Sequence, residues 1–260
     1  MCNTGTKTRG ALIVLEGIDR SGKTTQSEKL LEYFKKEGRS ARIQKFPDRD
    51  EPRTGQLINE YLSNGKDIND SKQIIHLLFS DNRWALADRM RNELKAGMTL
   101  IVDRYSFSGV TYSMAKDLDR NWVCQPEVGL PRPDLVLFFD VDPDKTSSRD
   151  GFGDEVMERS EFQKKVYANV QQIFNDKYWR RIDGTDSLEN VHANVLAEVK
   201  KSLPCVRSFS TDNCSLAEDT DQGWEIGSEI GPAIKVPSPD TDEYGVILEN
   251  LGYVIKCFEK

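Results

Sequence analysis

No stretch of this sequence approaches the ~18 consecutive apolar residues of a membrane-spanning helix, so no membrane partner is expected. The opening segment, MCNTGTKTRG, is too short and too polar to read as a secretory signal. Cysteine is sparse as well. Cys2, Cys124, Cys205, Cys214 and Cys257 are scattered, odd in number and nowhere spaced C-x-x-C. That pattern argues against a disulfide framework or a zinc-ligand set. It suits a reduced intracellular protein, cytoplasmic with the nucleus as the alternative compartment. Positive charge is in deficit: 36 Lys and Arg stand against 43 Asp and Glu, a formal net charge of −7. Duplex binding usually needs a basic face, so no nucleic-acid partner is expected. A small pocket for a phosphorylated molecule needs only local positive charge and stays open as a reading. The sequence shows no internal repeat and no guanine-reading N-K-x-D segment.

What is present suits a globular enzyme: 260 residues, 37% apolar and 30% charged. Residues 11–16 (ALIVLE), 99–103 (TLIVD) and 134–140 (DLVLFFD) are short apolar runs of the kind that form buried parallel strands. ARIQKF (41–46) and a segment around Ile182 complete a set of five. Helical patterns lie between them: Gly22 to Glu37 with Leu30, Leu31 and Phe34 on one face, Asp70 to Ala96, and Leu188 to Leu203. The expected fold is α/β, a five-stranded parallel sheet of the P-loop type with helices on both faces. The expected organisation is a flexible N-terminus over 1–9, one domain over 10–204, and a C-terminal extension over 205–260. Residues 205–240 of that extension are rich in Ser, Thr, Asp, Gly and Pro and read as a linker.

Four segments carry the chemistry. LEGIDRSGKTTQ (15–26) contains the phosphate-loop frame Gly17-x-x-x-x-Gly22-Lys23-Thr24 between a buried strand and a helix. Backbone N–H groups from Ile18 to Thr24, through Asp19, Arg20, Ser21, Gly22 and Lys23, can wrap a β-phosphate where the helix dipole adds positive potential. Lys23 would reach the β- and γ-phosphates, and the Thr24 hydroxyl would hold Mg²⁺. Two variable positions hold fixed charges, Asp19 and Arg20, which a plain polyphosphate cradle does not call for. In VDRYSFSG (102–109), Asp103 ends a strand on the carboxyl edge, where it could orient the water shell of Mg²⁺, and Arg104 could grip a phosphate. In LLFSDNRW (77–84), Phe79 and Arg83 stand i,i+4 and could stack on a flat base and bond its edge. Spacing alone fits a core Phe and a solvated Arg better. In KFPDR (45–49), Arg49 follows the second strand, where it could meet an anion or simply be solvated.

Together these place a triphosphate site at the loop, a second anion site at Arg49 and Arg104, and a base-stacking site between the long helix and Phe46. That combination suits phosphoryl transfer from ATP to a nucleoside monophosphate. A deoxynucleoside kinase and a nucleotide-dependent switch are the alternatives. The acceptor-side arginines argue against the first and the missing N-K-x-D against the second.

RGALIVLEGIDRSGKTTQ, LLFSDNRW, TLIVDRYSFSGV and GLPRPDLVLF occur in the order and spacing of the eukaryotic thymidylate kinases, which the chain resembles over roughly residues 9–203. The resemblance implies the reaction ATP + dTMP → ADP + dTDP with Mg²⁺, and a homodimer. It gives Asp19 the 3′-hydroxyl of the deoxyribose and Arg20 the transferring γ-phosphoryl group, with Thr25 also on ATP. It puts Phe46, Arg49, Gly109 and Tyr112 on dTMP, with Tyr112 crowding the 2′ side of the sugar, Phe79 stacking on thymine and Arg83 donating to its O4. Asp103 and Arg104 match the acid–arginine pair at the magnesium and phosphate positions. The loop DGTDS (183–187), with Thr185, falls where the family contacts adenine. The lid RDGFGDEVMERSEFQ (149–163) keeps Arg149, Gly153 and Glu158, but has Val156 and Met157 where many relatives carry a basic residue followed by Tyr.

Overall fold

The computed structural model describes residues 9–64, 71–146 and 157–203. Arg149, Gly153 and Val156 of the expected lid, and the expected extension over 205–260, lie outside the described residues. In chain order the elements are β1 (Leu12–Glu16), α1 (Lys23–Lys36), β2 (Ala41–Lys45), α2 (Gly55–Asn64), α3 (Lys72–Lys95), β3 (Thr99–Asp103) and α4 (Ser106–Met114). There follow α5 (Arg120–Cys124), β4 (Leu135–Asp140), α6 (Pro143–Thr146), α7 (Ser160–Ile173), β5 (Trp179–Asp183) and α8 (Leu188–Ser202). The five strands form one parallel sheet in the order β2-β3-β1-β4-β5.

β1 buries every residue because helices cover both faces of the sheet. Its alternation divides the core. Leu12 and Val14 pack with Met90 and Leu94 of α3 and Val110 of α4. Ile13 and Leu15 face the other way, onto Leu30 and Phe34 of α1 and Val195 and Val199 of α8. The chain runs outward from β1 to β2, returns to β3, then crosses to β4 and β5. The order therefore reverses beside β1, and the crevice above the carboxyl ends of β1 and β3 is where such sheets bind ligands. Leu15 is paired with Asp103 at that edge, so the phosphate loop and the Asp103–Arg104 pair emerge side by side.

Five of the eight helices among the described residues went unforeseen in the sequence: α2, α4, α5, α6 and α7. For α4, SFSGVTYSM, the reason is physical, since Gly, Ser, Thr and Val are modest or poor helix formers. Tertiary contacts supply what propensity lacks: Phe107 and Val110 are buried, and the Glu16 carboxylate accepts from the backbone N–H groups of Tyr105 (2.8 Å) and Ser108 (3.1 Å). α3 begins at Lys72 rather than Asp70, because Ser71 caps it by accepting from the Ile74 N–H. No helix among the described residues is long and apolar enough to cross a membrane.

Candidate active site

The loop leaving β1 turns tightly over the sheet edge. Gly17 has φ 150°, and a Cβ there would stand 2.7 Å from Ser21 Oγ and 2.9 Å from the Phe139 carbonyl. Gly22, at φ 97°, is the N-cap of α1 and offers no side-chain cap, so the first N–H groups of the helix remain available to an anion. Ile18 is fully buried and anchors the loop, while its carbonyl accepts from Lys23 Nζ at 2.6 Å; Ser21 Oγ lies 3.2 Å from the same nitrogen. Burial first, then the nearby Arg104 charge, pull the Lys23 pKa down to about 7 against the opposing pull of Asp103, Asp19 and Glu16. A polyphosphate beside that ammonium would favour its charged form.

Asp19 is bound on three sides. Oδ1 is paired with Arg104; Oδ2 accepts from the Tyr112 hydroxyl at 2.8 Å and from Gln163 Nε2 at 2.6 Å. Gln163 closes the ring by accepting from the Asp19 N–H at 3.0 Å. Burial opposes ionisation of this carboxyl, but Arg104, Lys23 and the two hydrogen bonds outweigh it and hold the pKa below the usual carboxylate value. A carboxylate offers about four acceptor positions, so these three donors leave room for one more hydroxyl. Arg104 also donates from Nη1 to the Gly17 carbonyl (3.1 Å) and the Tyr112 oxygen (3.3 Å). One guanidinium thus braces the loop, the carboxylate and the tyrosine together. Arg20 and Arg104 share a left-handed backbone, φ 59° and 67°, a conformation that costs an ordinary residue roughly 1–3 kcal/mol and clusters at functional sites. The Arg20 guanidinium lies 3.4 Å from the Glu158 carboxylate.

Thr24 and Asp103 meet across the α1–β3 gap, the hydroxyl donating to the carboxylate at 2.6 Å. Among the described residues no group of three or more His, Cys, Asp or Glu could cage a metal ion. A pair of hard oxygens at a phosphate loop fits Mg²⁺, which takes one or two protein oxygens and completes its shell with water and substrate phosphate.

These residues line a cavity of about 550 Å³, the size expected of a small-molecule site. Phe79 and Arg83 of α3 face into it across from the loop, with Gly109 and Tyr112 of α4 beside them. Phe79 is half-buried and meets Tyr61 edge-on at 6.3 Å. Arg83 is not solvated: Nε donates to Glu127 Oε2 at 2.8 Å, Nη2 to Oε1, and both side chains are buried. Phe46 also lines the cavity but is 1% exposed and packs on the Tyr105 ring, so it belongs chiefly to the core. Arg49 lies at the exposed side of the cavity, on a loop that Asn82 pins from α3 by accepting from the Asp48 N–H at 2.7 Å and donating to its carbonyl at 2.8 Å. Gly17, Ile18 and Ser21 support the loop from below, and Thr185 is outside the cavity wall, its hydroxyl donating to Asp183 at 2.6 Å.

Sequence reading missed four supports: Glu16, Asn82, Glu127 and Gln163. Glu16 had a local signal, a carboxylate closing an otherwise apolar strand. Glu127 and Gln163 had none, since each acts on a residue far away in sequence.

The thymidylate kinase family model matches residues 15–195. The chain is 50% identical over 189 residues to a thymidylate kinase of Arabidopsis thaliana, a match covering 73% of this chain and 70% of that protein. It is 42% identical over 190 residues to the human thymidylate kinase, covering 72% and 88% respectively. A solved thymidylate kinase from Candida albicans superposes with a TM-score of 0.68 at 37% identity, covering 74% of this chain and 92% of that one.

Proposed function

The chain belongs to the thymidylate kinase family and phosphorylates dTMP to dTDP, and from that premise we propose how its residues divide the work between the two substrates. ATP is the donor, its polyphosphate wrapped by the loop N–H groups and met by Lys23. Thr24 and Asp103 would hold Mg²⁺, which would offset charge on the phosphates. Arg20 reaches the γ-phosphoryl group and Asp19 accepts the 3′-hydroxyl of the acceptor sugar. Arg49 and Arg104 take the acceptor phosphate, Phe79 stacks on the base and Arg83 donates to its carbonyl edge. No protein nucleophile is required, because positioning and charge neutralisation supply most of the acceleration.

The observation that carries this division is Asp19 itself: it sits in the phosphate loop yet is bonded to Tyr112 and Gln163, one from each of the two helices α4 and α7. A coupled ADP-release assay is the test. Turnover is expected with dTMP, reduced about tenfold or less with dUMP, since one buried methyl is worth only about 0.8 kcal/mol. Thymidine, which has no phosphate for Arg49 and Arg104, is expected to give background turnover only. Thymidine turning over as well as dTMP would remove the two arginines from the acceptor phosphate.

A homodimer is part of the same proposal. Ile74, Leu77 and Trp84 leave their side chains exposed on α3 away from the cavity, and Trp122 and Val128 are exposed as well. Trp84 lies against the turn that carries Val128, its Nε1 donating to the Pro126 carbonyl at 2.6 Å, so Val128 adjoins the same apolar surface. Leu77→Glu is expected to convert a dimer to a monomer in light scattering while the chain stays folded by circular dichroism, because Leu77 is 45% exposed in the single chain. A wild-type protein that is monomeric at micromolar concentration would contradict it.

A further inference from the structure

Arg83 stands in a pocket meant for an uncharged base, and a bare guanidinium there would attract a phosphate as readily as a carbonyl. Glu127 sets a carboxylate against it. It lies in the short turn after α5, 0% exposed, and takes two of the arginine's nitrogens at once, Nε and Nη2. Nη1 makes no hydrogen bond to any described residue. The fork is held from behind as well: a Cβ on Gly109 would come within 2.4 Å of Nη2 and 2.9 Å of Cζ, so the guanidinium rests against the α4 backbone. The turn that carries Glu127 is itself clamped along α3. Its Pro126 carbonyl accepts from Trp84 Nε1 at 2.6 Å and from Ser80 Oγ at 3.1 Å, and the Gly129 carbonyl accepts from Arg91 Nη2 at 2.6 Å.

We propose that Glu127 is a positioning and specificity residue for the acceptor base: it neutralises Arg83 and fixes its fork so that Nη1 is presented to a pyrimidine carbonyl. The inference rests on Arg83 being the base donor. Bidentate guanidinium–carboxylate pairing adds geometric definition that a single hydrogen bond lacks. A glutamine at 127 could accept only one of the two bonds and would set its own N–H against an arginine N–H.

A kinetic cycle over wild type, Arg83→Gln, Glu127→Gln and the double variant tests it, with KM and kcat for dTMP, KM for ATP, and thermal unfolding of each. Arg83→Gln and Glu127→Gln are each expected to raise KM for dTMP about tenfold or more, with a smaller effect on kcat and none on KM for ATP. The double variant should be no worse than Arg83→Gln alone, since Glu127 acts through Arg83. Unchanged KM for dTMP in folded Glu127→Gln, or a double variant whose KM exceeds that of Arg83→Gln severalfold, overturns the role of Glu127 while leaving Arg83 in place. Unchanged KM in Arg83→Gln overturns the base-donor reading and this inference with it. If Glu127→Gln fails to fold, Arg83→Gln against the double variant still decides, because the double variant buries no unpaired charge.

Discussion

Arg20→Ala is expected to lower kcat at least about a hundredfold while leaving ATP affinity nearly intact. On the proposed division the backbone N–H groups and Lys23 hold the polyphosphate in the ground state, so removing Arg20 costs little binding. Its value comes when charge spreads over the transferring phosphoryl group, and arginines so placed contribute roughly 10³–10⁵ in rate. Arg20 is held in a left-handed backbone conformation within the loop, with its guanidinium 3.4 Å from the Glu158 carboxylate. kcat and kcat/KM for ATP should fall together, the sign of an interaction made only in the transition state. Steady-state kinetics with saturating dTMP checks this, and near-normal turnover would take Arg20 out of the chemistry.

The second large effect concerns the acceptor sugar. 3′-Deoxy-dTMP is expected to lose about 10–100-fold in kcat/KM, more than dUMP loses. With Asp19 as the proposed acceptor, removing the hydroxyl would leave a half-buried carboxylate one partner short, and hydrogen bonds to charged groups are worth about 1.5–3 kcal/mol. The thymine methyl contributes only about 0.8 kcal/mol when buried. Asp19 is suited to this discrimination because it stays ionised: Arg104, Lys23, Tyr112 and Gln163 hold its pKa below the usual carboxylate value, against the burial that would raise it. The two losses should also differ in kind. The methyl acts through packing and responds to the shape of the base pocket, whereas the hydroxyl acts through one carboxylate oxygen.

Much of this architecture is legible in the sequence. The three apolar runs, ARIQKF and the segment around Ile182 became the five strands, and the Gly17–Gly22–Lys23–Thr24 frame landed between β1 and α1. Asp103 and Arg104 could be placed beside the loop because a buried strand ending in a charged pair points to the carboxyl edge of a parallel sheet. What stayed hidden depended on residues distant in sequence. On spacing alone Arg83 reads as a solvated surface arginine, because Glu127, 44 residues later, leaves no periodic trace. The bond from Gln163 to Asp19 spans 144 residues and arrives on α7, a helix that begins inside the expected lid segment and has no side-chain cap. α4 stayed hidden because its helix is imposed by Glu16 and by burial, against its own propensities. The left-handed backbone of Arg20 and Arg104 is likewise a product of the fold, since neither residue prefers that region.

The division of labour within the loop is tested most directly by pairing Asp19→Asn with the substrate change. kcat/KM is measured for wild type and Asp19→Asn, each with dTMP and with 3′-deoxy-dTMP. The wild-type preference for dTMP, about 10–100-fold, is expected to collapse to a few-fold in Asp19→Asn, because the hydroxyl has lost its charged partner. A variant that keeps the full preference would show that the 3′-hydroxyl is read elsewhere and that Asp19 serves only to brace Arg104.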